Sequence, residues 1–230
     1  MPPPTRATAL LINPNSNART TEAMVAIARR TVVSMGYEAE FTISGETARS
    51  GPAMITGASE LALSAPEVLA LAERALRDAS PPAGIIIAAF GDPGLSEVAS
   101  LIPGRVVGIG SSGLLEAANG GRRFAVATTT PGLVDAIAQT VERLGLANRF
   151  TGTRLTRSPP LDLATDPTRT VSELAEAIER AVQDDGAEAV VIGGGPLAEA
   201  ARTLSATLAV PLVEPVPAAV RRLLAAIGSN

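Results

Sequence analysis

Short apolar, often β-branched runs alternate with Ala/Leu/Glu/Arg stretches of helical period along the whole chain, and that alternation predicts a parallel sheet covered by helices. Strands are expected at 7–12, 38–43, 84–89, 105–109, 124–129, 151–154, 188–193 and 210–214. Helices are expected at 19–34, 66–79, 94–101, 112–119, 131–145, 170–184, 196–207 and 216–227. The stretch SPPLDLATDP, 158–167, reads as irregular.

The two halves of the chain echo each other. Ile85–Ile87 is followed twenty residues later by Arg105–Val107, and Val190–Ile192 at the same spacing by Val210–Leu212, each pair joined by a Gly/Pro turn and a short helix. Units of this length are common in α/β proteins, so spacing alone leaves duplication open. The fold class it points to is α/β, with two pseudo-symmetric lobes, each a roughly four-stranded parallel sheet flanked by helices. The expected boundaries are 1–110 plus 215–230 for the first lobe and 111–214 for the second. Such a pair is expected to take its ligand in the crevice where the carboxyl ends of the two sheets meet.

Composition narrows the chemistry by subtraction. The 230 residues include no Cys and no His, and all 19 basic residues are Arg. Zinc sites of the Cys/His kind, Ser-His-Asp triads, thiol nucleophiles and Lys Schiff bases are excluded. Proton transfer is left to Asp, Glu, the single Tyr37, hydroxyls, water or the substrate itself. The formal charge of −4 carries no footprint for nucleic acid or an anionic membrane. No window has the ~18 apolar residues of a membrane span, and the start MPPPTRATALLINPN lacks the pattern of a signal peptide, so a cytoplasmic location is expected. The acidic residues are spread singly along helices, Asp184–Asp185 reads as a solvated helix end, and neither a metal nor a cofactor is expected.

Four strand-to-helix turns share a chemistry: INPNSNART (12–20), AFGDPGL (89–95), ATTTPGL (127–133) and GGGPLAEA (193–200). Each is expected to leave backbone N–H groups at a helix N-terminus, where a carboxylate, imide or enolate oxygen is favoured. Ordinary capping explains any one of them, since Asn13–Asn17, Asp92 and Thr130 are N-cap residue types. A shared ligand cleft explains four together. GIGSSG (108–113) spells G-x-G-x-x-G after a strand, but the next strand ends in Thr128 and Thr129 rather than an acidic ribose-binding residue, which argues against a dinucleotide.

NPNSN near the start, GP-x-x-I (Gly51, Pro52, Ile55), AFGDPGL, VVGIG, RFAVATTT, DGAEAVVIGGGPLA and VPLVEPVPAAV, in that order, resemble the hydantoin racemase branch of the aspartate/glutamate racemase superfamily. The resemblance covers nearly the whole chain. It implies two α/β lobes, a C-terminal helix returning to the first lobe, no cofactor, a small-molecule substrate and a homo-oligomer. Family racemases set two cysteines on opposite faces of the substrate, one as thiolate base and one as thiol acid. The first of those positions is Ala89 here and the second Gly194. The resemblance places Asn13, Asn15, Ala89, Phe90, Gly91, Thr128, Thr129, Gly194, Gly195 and Pro196 around the substrate. Glu214 and Pro215 stand where relatives commonly have Asp and Gly.

Three functions follow from that pattern. One is a cofactor-independent isomerase acting beside a carbonyl on a hydantoin-like ring or amino-acid derivative, with Asp92 or Glu214 as replacement acid/base. Against Asp92 stands a plain capping role before Pro93. A second is a lyase, decarboxylase or hydrolase using the same oxyanion cradle, which does not need two opposed bases. The third is a ligand-binding homologue without catalysis.

Overall fold

The computed structural model describes residues 6–194 and 197–228, which fall into two units. Unit 1 comprises the chain up to Ile55, Ser59–Ile109 and the chain from Val216; unit 2 comprises Thr56–Ala58 and Gly110–Pro215.

Unit 1 is built on β1 (Ala7–Asn13), β2 (Phe41–Thr47), β3 (Gly84–Ile87) and β4 (Val106–Gly108), all parallel in the order β2-β1-β3-β4. Its helices are α1 (Ala18–Ser34), α2 (Ala58–Leu76) and α3 (Leu95–Leu101). Every residue of β3 is buried, as expected of a strand covered on both faces. One core layer joins Leu10, Ile12, Ile85 and Ile87 to Val68, Leu71 and Val98 of the helices.

Unit 2 repeats the plan. After α4 (Ile109–Ala117), its strands β5 (Phe124–Thr128), β6 (Phe150–Leu155), β7 (Ala189–Ile192) and β8 (Leu212–Val213) pair parallel in the order β6-β5-β7-β8. In chain order this is the same 2-1-3-4 arrangement as in unit 1, so the two-lobed parallel architecture read from the alternation is the observed one. Helices α5 (Val134–Arg143), α6 (Pro160–Leu163), α7 (Pro167–Gln183) and α8 (Ala198–Ser205) cover the sheet. Leu174, Ala177, Ile178 and Ala181 of α7 meet Val190 and Ile192 of β7 and Ala201 and Leu204 of α8 in its core. The last helix, α9 (Pro215–Gly228), lies against unit 1: a Cβ on Gly84 would stand 2.8 Å from Leu223 Cδ1 and 3.0 Å from Ile227 Cδ1.

Four elements depart from the sequence reading. β2 begins at Phe41, not 38, because a turn closed by Glu40 N–H and Phe41 N–H on the Tyr37 carbonyl occupies those residues. The strand then runs through Gly45, where Val25 of α1 fills the place of a side chain. α2 starts eight residues ahead of Pro66 and carries that proline inside it. The stretch read as irregular holds α6 and the start of α7, whose N-cap Asp166 accepts from Arg169 N–H at 3.0 Å and whose Pro167 stands in the first turn. Finally, α4 begins at Ile109 rather than at 112, so Gly110 as well as Gly113 lies inside the helix.

Candidate functional site

Parallel strands bring their loops to one edge of the sheet, so the candidate residues gather at the carboxyl ends of β1 and β3 in unit 1 and of β5 and β7 in unit 2.

At the end of β1, Asn13 is fully buried. Its Nδ2 donates to Asn15 Oδ1 at 2.9 Å, Thr21 Oγ1 at 2.9 Å and the Asn17 carbonyl at 3.1 Å, and its Oδ1 accepts from Asn15 N–H at 3.2 Å. Asn15 Oδ1 accepts Asn17 N–H at 2.9 Å, and Asn17 in turn caps α1 on Thr20 N–H. The Asn13 amide is therefore engaged in building the turn. Asn15, half-buried, has its oxygen engaged in the same way, while its side-chain NH₂ has no acceptor among the described residues.

At the end of β3, two turns follow each other. Asp92 N–H donates to the Ala89 carbonyl at 3.1 Å, leaving Phe90 and Gly91 as the central pair of the first turn. Leu95 N–H donates to the Asp92 carbonyl at 3.2 Å, with Pro93 and Gly94 (φ 74°, ψ 7°) in the positions a type II turn assigns to them. The amides of Ala89, Phe90 and Gly91 find no acceptor among the described residues. Phe90 is buried, while Ala89 and Gly91 are half-buried, so a run of backbone donors stands where the sequence resemblance puts the first cysteine. Consecutive N–H groups in such a turn form a concavity suited to an oxygen bearing negative charge.

Asp92 does not cap the helix that follows it: the N-cap of α3 is Gly94, with no side-chain bond. Its buried carboxylate instead packs over Gly108, where a Cβ would lie 2.1 Å from Asp92 Cγ. Gly108 immediately precedes α4, so the carboxylate stands at that helix's N-terminus, where the helix dipole favours it.

In unit 2, Thr128 is fully buried and its hydroxyl donates to the Gly193 carbonyl at 2.6 Å, while Gly193 N–H donates to the Ala127 carbonyl at 2.8 Å. Thr128 Oγ1 also accepts Thr130 N–H at 3.3 Å, and Thr129 is buried beside it. The threonine hydroxyl thus braces the ends of β5 and β7. Gly194 is half-buried, its N–H donating to the Ile192 carbonyl and its own carbonyl accepting from Leu197 N–H. Gly195 and Pro196 lie outside the described residues. Glu214, half-buried, falls between β8 and Pro215, the first residue of α9. Tyr37 precedes β2, at the amino edge of its sheet, away from these loops.

Two polar clusters escaped the sequence reading. Glu173 of α7 is buried and accepts from Ser158 N–H at 2.7 Å, Ser158 Oγ at 2.6 Å and Arg169 Nε at 2.9 Å, and Arg169 also bonds Ser158 Oγ. The Ser158 hydroxyl, outweighing the opposing effect of burial, holds its carboxyl down at about 2. It borders a cavity of about 630 Å³ lined by Arg157, Ser158, Asp166, Thr168, Arg169, Ser172 and Glu173, none of which the sequence singled out. Asp185 accepts a two-pronged bond from Arg154 (2.7 and 2.6 Å), and this lowers its pKa, so it is not the solvated helix end that its neighbour Asp184 suggests. Neither cluster is completed locally: Arg169 and Glu173 are a turn apart on α7, but Ser158 lies outside that helix, and Arg154 and Asp185 are 31 positions apart. Among the described residues no group of three or more acids could hold a metal ion, and no helix is long and apolar enough to cross a membrane.

The pattern of the Asp/Glu/Hydantoin racemase family matches residues 10–223. A hydantoin racemase of Paenarthrobacter aurescens is 34% identical over 92% of this chain and 87% of its own length. One from Rhizobium meliloti is 33% identical over 96% of this chain and 88% of its own. Among solved structures, an allantoin racemase from Klebsiella pneumoniae superposes with a TM-score of 0.85 at 31% identity, over 96% of this chain and 89% of that one.

Proposed function

Because the chain belongs to the Asp/Glu/Hydantoin racemase family, we propose that it takes a small carbonyl or carboxylate compound, a hydantoin-like ring or an amino-acid derivative, at the carboxyl ends of its strands and acts there without a cofactor, as an isomerase-class protein that draws negative charge onto the ligand's oxygen. The observation that carries this reading is the run of Ala89, Phe90 and Gly91 amides with no acceptor among the described residues. Donors fixed before the ligand arrives stabilise an enolate or carboxylate oxygen without reorganising, which is worth on the order of a few kcal/mol per donor in a water-poor site. The relatives named hydantoin racemase and allantoin racemase support the choice of ligand.

Removing and replacing a proton on opposite faces of a carbon needs two groups that ionise. Neither Ala89 nor Gly194 has one, and the Asp92 carboxylate is packed against Gly108. Glu214 is the remaining candidate named by the sequence. This favours a second reading, a homologue that binds the same ligands without turnover.

One experiment separates them. The protein is incubated in heavy water with 5-substituted hydantoins, allantoin, aspartate and glutamate, and the α-proton, optical rotation and melting temperature are followed. A rise in melting temperature with at least one ligand supports the cradle, and its absence across the panel sinks both readings. Exchange that Glu214→Gln abolishes favours the isomerase. Binding without exchange, together with racemisation gained by Ala89→Cys/Gly194→Cys, favours the silent homologue.

A further inference from the structure

Asp92 is the single residue shared by the two turns after β3: its N–H closes the first on the Ala89 carbonyl and its own carbonyl closes the second on Leu95 N–H. It is also the one non-glycine with positive φ among the described residues, at 51°, a conformation aspartate tolerates better than most residues but does not seek. Something must hold it there, and the side chain shows what. The buried carboxylate lies flat over the Cα of Gly108, so close that a Cβ at that position would fall 2.1 Å from Cγ, 2.2 Å from Oδ1 and 2.5 Å from Oδ2. Gly108 ends β4, the strand beside β3, and its neighbour begins α4. The side chain therefore ties the turn to the adjacent strand, and the positive end of a helix offsets its charge.

We propose that Asp92 is a positioning residue: through its seat on Gly108 it fixes the turn that presents the Ala89–Gly91 amides. The aspartate acts on the ligand through the backbone it holds, and Gly108 is glycine to make room for it. The ligand half of this inference rests on the reading under Proposed function; the backbone half does not.

The test uses the ¹⁵N-labelled full chain with Asp92→Asn, Asp92→Gly and Gly108→Ala, and 5-benzylhydantoin as the probe. Asp92→Gly keeps a backbone that reaches positive φ but removes the tie, and Gly108→Ala blocks the seat from the other side. Asp92→Asn keeps the bulk, in a residue that also tolerates this conformation, so it remains informative if the other two fail to fold. The expected result is that the Phe90 and Gly91 amide resonances move in each variant while those of the Asn13–Asn17 turn stay in place, and that probe affinity falls about tenfold or more in the folded variants. Phe90 and Gly91 resonances unmoved in Asp92→Asn and in whichever of the other two folds would overturn the proposal, even with a lowered melting temperature, since that is all a merely structural aspartate would produce. If the wild type does not bind the probe, the ligand reading fails while the resonances still decide the positioning role.

Discussion

The hydroxyl of Thr128 donates to the carbonyl of Gly193 across 65 positions of sequence, at 2.6 Å and out of contact with solvent. That bond joins the ends of the two central strands of unit 2, so the shape of the loops after β5 and β7 depends on a side chain that needs no direct contact with a ligand.

Replacing Thr128 with Val keeps the branch and deletes the donor. A buried carbonyl left without its partner costs about 1–3 kcal/mol, which at this chain length lowers the melting temperature by roughly 2–4 °C per kcal/mol. Thr128→Ser is expected to recover most of the loss. Thermal unfolding of the two variants side by side checks it.

Gly193 is constrained by the neighbouring strand β5. A Cβ there would stand 2.8 Å from Val126 Cγ1 and 3.1 Å from Thr128 Cβ, so Gly193→Ala must push β5 side chains aside. A loss of about 1–3 kcal/mol is expected in urea unfolding, with the midpoint lowered and the slope unchanged.

The asparagines after β1 should separate stability from binding. Asn13→Ala removes the buried centre of a hydrogen-bonded turn and is expected to destabilise by about 1–3 kcal/mol. Asn15→Asp keeps the oxygen that accepts Asn17 N–H but replaces the NH₂, which has no acceptor among the described residues, with a charge. Hydantoin affinity measured by calorimetry should fall in Asn15→Asp by more than its melting temperature predicts.

Glu173 makes a prediction about pH. Its folded pKa of about 2 lies below the ordinary 4.5, so between these values the unfolded chain binds the proton more readily, and stability rises with pH. The contribution is complete above about 4.5 and is lost as pH falls through about 2. Urea midpoints at pH 3 and pH 7 should differ less in Glu173→Gln than in the wild type.

The pattern of strand and helix was legible because the central runs that became β3 and β7 are buried on both faces and helices such as α5 and α7 carry an apolar stripe. The boundaries that moved did so where a distant element intervened. α1 fills the side-chain space above Gly45, and helix formation carried α2 through Pro66 despite the proline. Asp92 was legible as a residue worth singling out, with an acid/base role and a capping role both open; the structure excludes the cap on the helix after Pro93, since the carboxylate went to Gly108 on the neighbouring strand. The Ser158–Glu173–Arg169 cluster left no trace, because only the two residues a helical turn apart are near each other in sequence.

While the repeat of one lobe plan in the other, which spacing left open, is read from the matching strand orders, the sequence by itself determined the parallel α/β architecture, the family resemblance and the absence of thiol and imidazole chemistry. Those are properties of residue type and period, which local sterics and burial read directly. Only the tertiary structure decided which polar groups are engaged and which are not: the Asn13 amide and Thr128 hydroxyl are bound within the fold, while the Ala89–Gly91 amides have no acceptor among the described residues. Hydrogen bonds are directional and short, so their partners are fixed by where distant strands end, which no run of neighbouring residues encodes.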